Sequence, residues 1–168
     1  MKKSILMLSF GLLLSTSSIY ALTRKEEPVK KMNQLESKKS HDDDEEETKY
    51  IKAVRLYNTP DGGCDFEIGK IPTTTHMDVT TFWGQNHVDK YEKVAHPAPR
   101  KQYVVTLKGS LRFKVTNGKT FVIEPGVILI AEDTIGQGHT WDLIKGKTWE
   151  RLYIPLAANA EDHFIAKH

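Results

Sequence analysis

Long hydrophobic runs, paired cysteines and a surplus of one charge are all missing from this sequence. Cys64 is the only cysteine, so no internal disulfide can form. A single thiol in an oxidising compartment is either buried or open to pairing between chains. Its place in a strand-like stretch favours burial, since free cysteine behaves as a small apolar residue. The longest apolar run, Ile5–Leu14, is shorter than the roughly 20 residues that a membrane helix needs. The 24 basic residues exceed the 22 acidic ones by only two, too small a surplus for a phosphate chain, so no nucleic-acid partner is expected. A Gly-x-Ser-x-Gly elbow, a phosphate-binding glycine loop and a Cys-x-x-Cys pair are all absent, which removes the commonest motif-borne nucleophile, nucleotide and dithiol chemistries.

What is present falls into three stretches. Residues 1–21 open with Lys2 and Lys3, continue through the short apolar run and end in small residues at Ala21, the parts of a secretory leader. Cutting there leaves 22 basic against 22 acidic residues, and an exported chain, periplasmic or secreted, with no stable membrane span. Residues 22–49 are dominated by charge, carry no aromatic side chain and include the acidic run Asp42–Glu47. Such a stretch cannot bury enough apolar surface to offset its ordering entropy and reads as a disordered linker. Spaced ligands and the turn glycine of a calcium loop are both missing from the run.

From Tyr50 to His168 short β-branched and aromatic runs alternate with turn residues, the pattern of an all-β domain. Strands are expected at 51–57, 64–70, 78–83, 102–108, 111–116, 120–123, 127–131, 139–144 and 149–155. A short helical turn is expected in the tail. Lys108-Gly109-Ser110, Asn117-Gly118 and Lys145-Gly146-Lys147 read as hairpin turns. Leu111, Phe113 and Val115 alternate with Arg112, Lys114 and Thr116, as in a strand with one buried face. Consecutive hairpins in a domain of this size point to a jelly roll or small closed barrel.

Histidine carries the chemical information. His96 and His139 each stand just before a strand, and they can face each other only if the sheet folds over on itself. The blocks HPAPRKQYVVTLKGSLRFKV and FVIEPGVILIAEDTIGQGH, in this order, resemble the cupin superfamily, most closely its small single-domain bacterial members. The resemblance covers about the last two-thirds of the chain and implies a double-stranded β-helix, or jelly-roll barrel. In the first cupin motif His96 matches the first histidine and Gly109 the glycine. Ala98 stands where the second histidine belongs, and Gln102 replaces the glutamate. In the second motif Pro125-Gly126 and His139 match, and Leu143 replaces the terminal asparagine.

The resemblance implies a site of His96, His139 and Gln102 for one divalent transition metal: iron, zinc, nickel, copper or manganese. Glu132 and Asp133 are candidates for supplying its missing negative charge, or they hydrogen-bond a turn. Arg100 is placed to meet a substrate carboxylate, with Lys101 beside it. Tyr103 and Trp141 are expected to line the substrate pocket, and Trp83, Trp149 and Phe113 to be core. His76 and His87 flank Trp83 as lid or surface histidines. Two functions stay open: a metal-dependent oxygenase- or isomerase-like enzyme, and a metal-free cupin that binds a small ligand or plays a structural part. Pairing through sheet edges, common among cupins, makes a homodimer a further implication.

Overall fold

The computed structural model describes residues 49–167. The leader, nearly all of the charged linker and His168 lie outside the described residues. Those described form an all-β domain of eight strands: β1 (Tyr50–Asn58), β2 (Cys64–Pro72), β3 (Trp83–Gln85), β4 (Gln102–Lys114), β5 (Thr120–Ile123), β6 (Val127–Ala131), β7 (Thr140–Pro155) and β8 (Ile165–Ala166). They make one sheet in the order β3-β7-β4-β6-β1-β2-β8, with β5 attached to β4 alone. Every pairing is antiparallel except β1 with β6. No pairing among the described residues joins β2 to β5, so the sheet does not close into a ring.

Strand alternation sorts side chains between two cores, because successive residues point to opposite faces. Val54, Leu56, Val104, Phe113, Ile123, Leu129, Trp149 and Tyr153 pack on one face. Ala53, Tyr103, Ile130 and Leu156 pack on the other with Ile71, against Met77, Ala160 and Phe164. Cys64 is fully buried on the first face.

Two expected hairpins are absent. The two expected strands 102–108 and 111–116 merge into one bulged strand that ends at Lys114, and residues 140–155 form its long partner. Gly109 and Gly146 both have positive φ and stand against each other across the pair. Around them the register jumps: Lys108 pairs with Glu150, but Ser110 with Lys145. The left-handed glycine that closes a hairpin also makes a bulge, and only the long-range pairing decides between the two. The bend lets the first half of β4 pair with β6 and the second half with β5. Asn117-Gly118 does turn β4 into β5 as expected.

Other elements shift as well. In the expected strand 78–83 only Val79 and Trp83 pair, Val79 in an isolated bridge to Leu156 and Trp83 as the first residue of β3. The tail makes β8, which pairs with Gly69 and Lys70, where a helical turn was expected.

A Cβ at Gly109 would meet the Thr148 carbonyl oxygen at 2.7 Å, in a backbone conformation that L side chains rarely adopt. Gly109→Ala should therefore lower the unfolding free energy by about 2 kcal/mol. Urea denaturation measures this, and an unchanged midpoint would contradict the paired-bulge account.

Candidate functional site

The face that carries the larger core also carries a small cavity of about 60 Å³, with room for roughly four or five water-sized groups. Its walls are mainly aromatic and aliphatic, with Phe113, Trp141, Trp149 and Leu129 among them, and its polar lining includes His96, His139, Gln102 and Glu92.

Two loops bring the histidines together. His96 N–H donates to the His139 carbonyl and His139 N–H to the His96 carbonyl, each at 3.0 Å. Gly138 makes the approach possible, since a Cβ there would overlap the His96 carbonyl. The two rings then lie 4.8 Å apart between centroids.

Each ring is oriented through Nδ1. His96 Nδ1 lies 2.7 Å from the Val94 carbonyl oxygen, and His139 Nδ1 lies 2.6 Å from Asp133 Oδ2. Neither oxygen can donate, so each Nδ1 carries the proton, and in the neutral ring Nε2 keeps its lone pair. No hydrogen bond among the described residues reaches either Nε2. Burial, the main cause, and neighbouring His139 hold His96 below the usual histidine range, against the pull of the Val94 carbonyl, so His96 is neutral at pH 7.

Gln102, only 3% exposed, adds an amide whose oxygen is buried without a partner. Rotating the amide end for end turns its oxygen to the other side. A buried amide without a hydrogen bond is costly.

Asp133, 0% exposed, acts behind the site rather than in it. Its carboxylate holds His139 and lies against the Cys64 thiol, which burial first and this charge second push far above the usual range. A carboxylate behind a histidine fixes the tautomer and makes the ring a better base, the arrangement common behind metal-bound imidazoles.

Glu92 has a different task. Its Oε1 accepts from Arg151 Nη2 at 2.6 Å and from the Tyr153 hydroxyl at 2.8 Å, and its Oε2 accepts from the Asp89 N–H at 2.7 Å. Arg151, 1% exposed, also donates to Tyr153 and to the His87 and Trp149 carbonyls and lies over the Trp149 ring. This buried cluster ties the 3₁₀ turn Tyr91–Lys93 to β7 and sets Tyr91 edge-on against His96. Both Glu92 oxygens are therefore engaged. Among the described residues no three His, Cys, Asp or Glu side chains are grouped to hold a metal ion.

The sequence-expected residues separate accordingly. His96, Gln102, His139 and Trp141 line the cavity. Tyr103 faces the other side of the sheet, where its hydroxyl donates to the Asp162 carbonyl, because neighbours in a strand cannot both face one cavity. Arg100 is exposed and outside the lining, and Lys101 pairs outward with Glu132 and Asp162. His76 and His87 are exposed. Trp83 lines the mouth, while Trp149 and Phe113 belong to both core and cavity wall.

Arg151 and Glu92 escaped the reading of the sequence. A signal for Arg151 exists, since Trp149, Arg151 and Tyr153 share one face of a strand, an arginine between two aromatics. Comparison with known proteins adds nothing to the site: no family model and no curated protein matches the chain.

At a pH where both imidazoles are neutral, long-range ¹H–¹⁵N spectra should show His96 and His139 each protonated at Nδ1 and bare at Nε2. An Nε2–H signal from either ring would contradict the site described.

Proposed function

We propose that the cavity binds one divalent transition metal through His96 Nε2, His139 Nε2 and Gln102, within a cupin-like jelly roll, and offers it to a small ligand. The observation that carries this reading is a set of acceptors without donors. The residues that carry two imidazole lone pairs and an unpartnered amide oxygen line one pocket. Buried acceptors of this kind call for a cation or for a ligand rich in N–H or O–H groups. Imidazole with an amide oxygen suits iron, zinc, nickel, copper or manganese. A bound metal would supply a Lewis acid that polarises a ligand oxygen.

The chain's own residues orient and shield. Asp133 and the Val94 carbonyl hold the two rings in the tautomer that ligates. Phe113, Trp141 and Trp149 make the pocket wall apolar, and its size limits what enters to a molecule or group of a few atoms. The leader read at residues 1–21 supports export of the protein.

A second reading has its own support. Only two strong ligands meet: both Glu92 oxygens are engaged, and Asp133 lies outside the cavity lining, behind His139. A donor-bearing small ligand would then satisfy the same three acceptors without a metal, and the protein would bind rather than catalyse.

Metal analysis by mass spectrometry separates the two. Untagged full-length protein, offered each of the five metals and then dialysed, should retain about one equivalent, and a His96→Ala/His139→Ala variant should retain none. Folded wild-type protein that retains none of the five would overturn the metal reading.

A further inference from the structure

The charges around the histidine cavity restrict what its small ligand can be. No lysine or arginine is among the described residues that line it, and Glu92 is the only carboxylate there. Glu92 is already matched, since its Oε1 receives Arg151 Nη2 at 2.6 Å and both side chains are buried. Arg151 directs its other nitrogens to Tyr153 and to the His87 and Trp149 carbonyls, and it does not line the cavity. Asp133 stands behind His139, with Oδ2 2.6 Å from Nδ1. Arg100, placed by the sequence to meet a carboxylate, is exposed and outside.

A divalent ion held by two neutral imidazoles and an amide brings two positive charges. Asp133 offsets one of them through His139. Glu92 offsets neither, because Arg151 already balances it. One positive charge is left, in a pocket walled by Phe113, Trp141, Trp149 and Leu129. An unbalanced charge in apolar surroundings is costly, so the occupant that completes the site carries a single negative charge.

The same wall limits the rest of the occupant. No cation among the described lining residues could meet a second negative group, whereas four apolar side chains could cover a hydrocarbon end. The volume of about 60 Å³ leaves room beside the ion for roughly three or four non-hydrogen atoms. Acetate is of that size.

We infer, on the metal reading of the cavity, that its ligand is a short-chain monocarboxylate. The carboxylate lies at His96, His139 and Gln102, and the hydrocarbon end against Phe113, Trp141 and Trp149. With no cationic side chain in the lining, the affinity for the anion comes from the metal alone.

Calorimetric titration of the untagged full-length protein, in chloride-free buffer near neutral pH, tests this. Protein loaded with the metal it retains should bind acetate about tenfold or more tighter than acetamide, its neutral isostere. It should also bind acetate severalfold tighter than chloride, which has no hydrocarbon to bury. Metal-free protein should bind none of the three, and metal content should stay unchanged through each titration. Four results would each overturn the inference and leave the metal site standing: no acetate binding, equal affinity for acetate and acetamide, tighter binding of chloride, or acetate binding to metal-free protein. Protein that retains no metal overturns the metal reading itself, and the inference with it.

Discussion

Two backbone hydrogen bonds between His96 and His139 are the interaction on which the site depends. They join the loop before β4 to the loop before β7. Buried peptide groups must find partners, so this short bridge holds both loops at a fixed distance and brings two imidazoles into contact. Side-chain bonds then set how the rings point, with a carbonyl behind one and a carboxylate behind the other. Gly138 is the steric condition for the whole arrangement, because the His96 carbonyl occupies the space a side chain would need.

The long β4–β7 pair supplies the frame. Its paired glycine bulges bend it, so that one strand pairs with β6 in its first half and with β5 in its second. Period-two alternation along this frame decides what the cavity contains. Gln102 and Val104 enter from β4, Leu129 and Ala131 from β6, and Trp149 and Tyr153 from β7. The buried Arg151–Glu92 pair serves the same end from the opposite wall. Alone, a buried ion pair is weak evidence of stability. Here it fixes the turn that carries Tyr91 to His96.

Much of this was legible in the sequence, and the failures have physical causes. Strands β5 and β6 lie where alternation and flanking turns put them. The glycines at 109 and 146 misled because a positive φ is a local property, whereas the choice of hairpin or bulge belongs to the pairing of distant segments. His96 and His139 meet as their positions before two strands required. Tyr103 could have been removed from the pocket by alternation alone, once Gln102 was placed there. Glu132 and Asp133 looked equivalent. The step of two from Leu129 through Ala131 points to Asp133 as the inward one, and it is Asp133 that holds His139. Glu92 gave no signal, since its burial depends on an arginine 59 residues away.

The central claim is that two histidine Nε2 atoms and the Gln102 amide form a cation site. X-ray absorption at the zinc edge of the zinc-loaded full-length protein tests this most directly. The account predicts two imidazole ligands at about 2.0–2.1 Å with lighter oxygen scatterers beside them, and loss of the imidazole signal in the double-histidine variant. Zinc bound with no imidazole scattering, or with the same spectrum in the variant, would contradict it.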